Sequence, residues 1–280
     1  MILVDMNQIS LASVMMHLNM NKTVKPDEKM VRHMILNSLR MYRTRFSGDF
    51  GELVLCYDSK HYWRRDYFPQ YKHNRKKTRE KSNLDWDSIF GCLNEIKQEL
   101  KDNFPYKHLE VHGAEADDII AALCVELEFD NGKTLILSGD KDFIQLHRIN
   151  NVTQYSPITK KFVNGEDPVQ YLKEHILKGD SSDGVPNVLS PDHTFTDGIR
   201  QRPLGKKKIE RFLSEGLPST ELKRNHQRNE TLIDLSKSPA ELYMECLNKY
   251  NEAPEGDRTK LLNYFIEKRL RDLTESIGEF

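Results

Sequence analysis

Residues 134–142 read TLILSGDKD: a continuous apolar run, a serine and a glycine, then two aspartates at i and i+2. An unbroken run of Leu and β-branched residues fits a strand buried on both faces of a parallel sheet, because a strand with one wet face would alternate. Three other stretches repeat the pattern. Residues 2–4 (ILV) end at Asp5, residues 53–57 (LVLCY) end at Asp58, and the weaker 109–112 (LEVH) lead into Glu115. Helical periodicity lies between them. It is carried by Met30, Met34, Leu36 and Leu39 in 27–46, by Trp86, Ile89, Phe90, Leu93, Ile96 and Leu100 in 85–101, and by Ile119, Ile120, Leu123 and Leu127 in 115–129. Strand–helix–strand alternation predicts an α/β fold with a central, mostly parallel sheet flanked by helices.

Beyond residue 180 the chain becomes rich in Pro and Gly, then shows short amphipathic helices at 206–214, 239–250 and 258–270 with no strong strand. The expected organisation is a catalytic domain over 1–180 and a smaller helical domain over 181–280. No apolar run approaches the ~20 residues of a membrane helix, and no basic segment precedes an apolar stretch at the N-terminus, so a cytoplasmic protein without a signal peptide is expected. The four cysteines, Cys56, Cys92, Cys124 and Cys246, form no CxxC pair, which excludes a zinc ribbon and suits a reducing compartment.

The acids carry the chemistry. In open parallel sheets ligands bind beyond the carboxyl ends of the strands. Asp5, Asp58 and Asp140 each follow an apolar strand, with Asp142 two residues on. Glu115, Asp117 and Asp118 open a helix after a strand, and Asp180 and Asp183 stand one turn apart in KGDSSDGVP. Taken singly, each has a plainer reading as a helix cap, a turn residue or a complement to a helix dipole. Nine carboxylates converging on one sheet edge cannot all stay ionised without counter-charge. Hard oxygen donors of this kind suit two Mg²⁺ ions, with Mn²⁺ able to replace them. Two such ions about 4 Å apart support phosphodiester hydrolysis. No Cys or His cluster accompanies them in sequence, which argues against zinc.

The formal net charge is −1, but the charge is segregated. Residues 60–81, KHYWRRDYFPQYKHNRKKTREK, hold nine Lys/Arg against two acids, interleaved with Tyr62, Trp63, Tyr67, Phe68 and Tyr71. Residues 200–211, RQRPLGKKKIER, hold six against one. Aromatic faces for unstacked bases and cations for phosphates are what a groove or arch for single-stranded nucleic acid needs. An exposed charged loop is the plainer alternative. Lys72 and Arg75 are placed to reach a scissile phosphate at the acids.

The order of these pieces resembles the 5′-nuclease (flap endonuclease) superfamily. It has a strand-end Asp, a second Asp before a basic arch, an E-x-D-D helix (Glu115 to Asp118), a G-D-x-D turn (Gly139 to Asp142) and a G-D-x-x-D element (Gly179 to Asp183). YWRRD (62–66), KxNR (72–75), YSPxxKK ending at Lys161 and LTxSIxEF (273–280) are shared with phage members of that superfamily. The resemblance implies a PIN-like catalytic domain with its arch at about 60–84, and a helical DNA-binding part containing a helix–three-turn–helix-like element. It implies metal-dependent 5′→3′ hydrolysis of RNA–DNA and DNA duplexes and of 5′ flaps, with removal of RNA primers during lagging-strand replication, by a monomer in the host cytoplasm. It also implies that Asp5, Asp58, Glu115, Asp117, Asp140 and Asp142 serve two metals, with Asp118, Asp180 and Asp183 completing the second site. Tyr71, Lys72 and Arg75, with Arg64 beside them, would meet the 5′ end, and Arg65, Lys76 and Lys77 would add arch contacts.

Residues 185–212 depart from the family pattern. They lack the G-x-G turn that holds K⁺ against duplex phosphate, which leaves a K⁺ site in doubt. Duplex contact would then pass to Arg200, Arg202, Lys206, Lys207 and Lys208. The competing functions are a catalytically inactive structure-specific binding module, a PIN-type single-strand ribonuclease and a small-substrate phosphohydrolase. The first predicts a missing ligand, the second a missing DSSDGVP element, and the third a nucleophile pair where Asp5-Met-Asn7 stands. In the tail, Leu273, Ile277 and Phe280 share one helical face. They either pack on the protein's own helical domain or dock a replication protein such as the single-strand-binding protein.

Overall fold

Six strands make one sheet: β1 (Ile2–Asp5), β2 (Leu53–Tyr57), β3 (Lys107–Glu110), β4 (Thr134–Leu137), β5 (Val152–Ser156) and β6 (Lys161–Phe162), in the order β3-β2-β1-β4-β5-β6. The first five are parallel and β6 turns back antiparallel on β5. The structure is a computed structural model and describes residues 1–128, 132–164, 167–254 and 256–280. The last residue of the 115–129 helix expected from sequence lies outside the described residues. Asp5 pairs with Cys56 and Val4 with Leu137, so the carboxyl ends of β1, β2 and β4 share one edge.

The helices are α1 (Met6–Asn21), α2 (Glu28–Phe50), α3 (Trp63–Tyr67), α4 (His73–Glu80), α5 (Trp86–Asn103) and α6 (Ala116–Leu127). A 3₁₀ helix, Lys141–Arg148, follows β4. Then come α7 (Pro168–Lys178), α8 (Lys206–Glu215), α9 (Thr220–Ile233), α10 (Ala240–Glu252), α11 (Leu261–Glu267) and α12 (Arg271–Thr274). The β3 strand begins and ends two residues earlier than the sequence suggests. The strands β5 and β6 and the helices α1, α7 and α9 are not signalled by the periodicities above. In α2 the expected stripe holds in part: Leu36 and Leu39 are buried, but Met30 is exposed, and Val31, Ile35, Tyr42 and Phe46 complete the buried face.

Alternate strand residues feed two cores. Ile2, Val4, Leu53 and Leu55 pack against α1, α2 and α5 on one face. Leu3, Val54 and Cys56 pack against α6 and α10 on the other. All four cysteines are buried and free. Among the described residues no helix is long and apolar enough to cross a membrane.

The helical C-terminal part divides its packing. The helices α7, α8 and α9 form two small clusters around Ile176, Val188, Phe212 and Leu232, one of them shared with Tyr62, Phe68 and Tyr71 of the basic segment. By contrast α10 lies on α6, and α11, α12 and the tail lie on the α2–α5 face of the sheet. Phe280 is fully buried edge-to-face with Phe104 of the α5 C-cap and with Phe265 of α11. Leu273 joins the same core and Ile277 packs against it. The tail therefore packs on its own chain, but against the sheet layer and not against α7 to α9. Phe280→Ala is expected to cost about 3 kcal/mol, seen as a lowered midpoint in urea unfolding. An unchanged midpoint would mean the tail is free.

Candidate active site

Local rules place each acid before any question of function arises. Asp5 N-caps α1, its Oδ1 accepting the Gln8 amide at 3.1 Å. Asp140 caps the 3₁₀ helix by accepting the Asp142 amide at 3.0 Å. Asp58 accepts the Ala116 amide at 2.8 Å, which ties β2 to the start of α6. Asp180 accepts the Ser182 amide at 2.7 Å in a turn that requires Gly179. Gly179 has φ +66°, and a Cβ there would lie 2.5 Å from the Val185 carbonyl oxygen. The parallel register then gathers these caps and turns at one edge. Ser138 binds the strand ends together, donating to Asp5 Oδ2 at 3.0 Å and accepting from the Asp140 amide at 3.1 Å.

The nine acids separate into two groups. Glu115, Asp118 and Asp183 are neutralised by the chain itself. Arg64 is 2% exposed; its Nη1 donates to Glu115 at 2.9 Å and to Asp118 at 2.8 Å, and its Nε donates to the Leu232 carbonyl. Asp118 also accepts from Ser238 and from the Glu115 amide, closing a capping box. Lys72 Nζ lies 2.5 Å from Glu115, and Arg75 Nη2 lies 2.5 Å from Asp183. The Tyr71 hydroxyl stands 2.7 Å from Asp183 and 3.1 Å from Glu115. Burial pushes the Asp118 and Asp183 carboxyls up, but the cations beside them outweigh it. Arg64 holds Asp118, and Lys72 and Arg75 hold Asp183, below the usual carboxylate range.

Asp5, Asp58, Asp117, Asp140, Asp142 and Asp180 make no ion pair with Lys or Arg among the described residues. Burial, then repulsion from Asp58 and Asp140, pushes Asp5 up to about 6. Burial, then Asp140 and Asp5, pushes Asp117 well up. Asp58 and Asp140 are raised chiefly by burial. Asp142 rises to about 6 by burial, with His175 opposing and Asp140 adding to the rise. These acids therefore repel one another across a single shared space, and divalent cations would relieve that repulsion. The chemistry of the donor set fits hard cations.

Acids with raised folded-state proton affinity stabilise the fold below about pH 4 and lose that contribution as pH rises through about 6. For Asp5 alone this amounts to about 3 kcal/mol. In EDTA the melting temperature is accordingly expected to fall between about pH 5 and 7. Millimolar divalent cation should restore it at pH 7 and change little at pH 5. A flat EDTA profile would contradict the grouping of the acids.

The basic segment is not a free loop. It forms α3 and α4, and α4 is docked on the 181–196 loop. Asn74 donates to the Ser181 carbonyl, Lys77 to the Thr196 carbonyl, and the Lys72 amide to the Asp183 carbonyl at 2.7 Å. Lys72 holds left-handed backbone, φ +56°, as the N-cap of α4 and turns its amine into the acids. Arg64 departs from the sequence expectation. It is buried beneath the acids, too deep to meet a strand end. Arg65 lies exposed over the Tyr62 ring, and Lys76 is exposed beside Glu80. Arg200, Arg202, Lys206, Lys207 and Lys208 are exposed at or before the start of α8 and touch none of the nine acids among the described residues.

One site residue has no signal in the acid pattern. His175 of α7 brings its Nε2 within 2.9 Å of Asp142 Oδ1, and its ring, Asp142 and Asp180 offer three ligand atoms within 4.8 Å of one another. The sequence shows no Cys or His cluster beside the acids, and this single histidine is not among the residues its acid pattern picks out. The spacing of His175 five residues before Asp180 could have shown it, because α7 runs into the GDSSDG turn.

Similarity to known proteins extends along nearly the whole chain. Residues 2–175 match the 5′-3′ exonuclease N-terminal resolvase-like domain, and residues 168–280 match the T4 RNase H C-terminal domain. The chain is 35% identical to the ribonuclease H of Enterobacteria phage T4 over 294 aligned residues, covering 99% of this chain and 95% of that protein. A 5′-3′ exonuclease of Buchnera aphidicola is 34% identical over 49% of this chain and 48% of its own. Among solved structures, the bacteriophage T5 flap endonuclease in complex with DNA and metal ions superposes with TM-score 0.64 at 17% identity, covering 99% of this chain and 97% of that one. The chain belongs to the 5′-3′ exonuclease family, in its T4 ribonuclease H branch, and is a 5′-3′ structure-specific nuclease.

Proposed function

We propose that this nuclease hydrolyses phosphodiesters from the 5′ ends of RNA–DNA and DNA duplexes and at 5′ flaps, and that it removes RNA primers from lagging-strand fragments with two Mg²⁺ ions. The observation that carries the reading is the separation of the acids into a self-neutralised group and a group left for cations. Asp5, Asp58, Asp117, Asp140, Asp142 and Asp180 would hold the two ions, which supply a nucleophilic water and charge stabilisation at the phosphate. Glu115, Asp118 and Asp183 hold Arg64, Tyr71, Lys72 and Arg75 in place, and through them the arch. Lys72 and Arg75 sit at the junction of arch and acids, where they can transfer from carboxylate to substrate phosphate. Arg65, Lys76 and Lys77 line the outer arch for the single strand. Arg200, Arg202 and Lys206 to Lys208 would grip the duplex over 181–280, with residues 1–180 carrying the chemistry. The protein would work as a monomer in the cytoplasm of a phage-infected host. The buried tail, Leu273 and Phe280, offers little surface to a single-strand-binding protein.

A 5′-labelled flap and a 5′-labelled RNA–DNA duplex, each with Mg²⁺ or EDTA, test the reading. Mg²⁺-dependent release of short 5′ products from both supports it. Cleavage of single strands only would indicate a PIN-type ribonuclease, and binding without cleavage an inactive module. On the same flap, Arg75→Ala is expected to slow cleavage about tenfold or more with duplex affinity nearly unchanged. Lys206→Ala with Lys207→Ala is expected to weaken binding and reduce its salt slope by about 2. Identical behaviour of the two variants would remove the division between arch and helical part.

A further inference from the structure

Among the described residues, His175 is the one imidazole beside the acids left for cations. It projects from α7, which adjoins the 3₁₀ helix that carries Asp142, and whose Leu172, Ile176 and Leu177 are anchored in the clusters around Leu232 and Phe212. The Tyr171 ring stacks on the imidazole at 5.6 Å and 25°, limiting its swing. The Nε2–Asp142 Oδ1 separation of 2.9 Å is a hydrogen bond as it stands. It is also the spacing of two adjacent ligands on one octahedral ion, since donors near 2.1 Å from a common centre lie about 3.0 Å apart. Asp180 completes a third corner within 4.8 Å.

We infer that His175 supplies an imidazole nitrogen to one of the two cations, beside Asp142 and Asp180. This rests on the two-cation reading of the acids. An all-carboxylate site discriminates little among hard cations, whereas an imidazole favours Mn²⁺ and later transition ions over Mg²⁺. His175 is thus a residue that sets metal preference at this site.

The experiment uses the full chain with Mn²⁺ and no substrate. Loss of the free Mn²⁺ electron paramagnetic resonance signal reports binding, and pulsed measurement on the bound ion reports nitrogen coupling. The expected result is bound Mn²⁺ with imidazole ¹⁴N modulation. In His175→Gln that modulation should disappear, with Mn²⁺ affinity at the site about tenfold or more weaker and Mg²⁺ affinity changed by less than about threefold. Bound Mn²⁺ in the wild-type chain without ¹⁴N modulation overturns the assignment and leaves the carboxylate site standing. No Mn²⁺ binding at all overturns both. The wild-type spectrum decides the matter even if His175→Gln folds poorly.

Discussion

Asp140→Asn is expected to slow flap hydrolysis by about 10³-fold or more while leaving gel-shift affinity for the same flap within about threefold. Asparagine caps a helix as well as aspartate does, so the acceptor for the Asp142 amide survives and the 3₁₀ helix keeps its start. What is lost is one negative charge in the group that repels itself across the site. Asp140 lies beside Asp180 and Asp183 in that field, and it raises the proton affinity of Asp5, Asp117 and Asp142. Removing its charge weakens cation binding and lets neighbouring carboxyls ionise more readily. The melting temperature in EDTA should therefore rise slightly while activity vanishes. Turnover near wild type would take Asp140 out of the site. Loss of binding together with activity would make it a nucleic-acid contact.

Arg64→Ala is expected to destabilise the fold by about 3–5 kcal/mol. For a chain of this size that is a fall in melting temperature on the order of 10 °C. The guanidinium is the counter-charge for both Glu115 and Asp118, and its Nε ties α3 to the Leu232 carbonyl of α9. Its removal leaves Asp118 buried without a cation and Glu115 with Lys72 alone. Arg64→Lys should recover little, because an ammonium cannot span two carboxylates and a carbonyl in one plane. Thermal unfolding of the two variants with cation present is the check. A stable Arg64→Ala protein that has lost only 5′-end binding would restore Arg64 to the substrate-facing role the sequence suggested.

Much of the site was legible because the signals of its parts were independent. Strand-end acids follow apolar runs that only a parallel sheet explains, and a parallel sheet gives those acids one edge. The plain readings were also correct in their own terms: Asp5 and Asp140 are caps and Asp180 does close a turn. Capping and gathering are compatible, because a cap fixes a carboxylate at an element's start and the register decides which starts meet. What the sequence could not separate was which acids face cations and which face the chain. That depends on Arg64, Tyr71, Lys72 and Arg75 folding inward, and a basic run reads the same whether it is solvated or buried.

Three of the missed elements have identifiable physical causes. Helix α1 carries exposed Leu11, Met16 and Met20 as well as buried Ile9, Val14 and Leu18, so no stripe stands out. Helix α9 buries Asn225, Arg228 and Asn229, whose side chains donate to the Val188, Pro186 and Ile176 carbonyls, so its inner face is polar. Strand β5 places Gln154 inside to hold the Ser138 and Asp140 carbonyls. Hydrophobic periodicity cannot register elements whose buried faces serve hydrogen bonds to loops.

The separation of the nine acids is tested most directly by locating bound cations. Crystals of the wild-type chain grown at neutral pH and soaked in Mn²⁺, with anomalous differences measured at the manganese edge, give the positions without reference to activity. Two peaks are expected among Asp5, Asp58, Asp117, Asp140, Asp142 and Asp180, with Asp118 still held by Arg64 and Ser238. A peak ligated by Asp118, with Arg64 displaced, or no peak among those six acids, would contradict it.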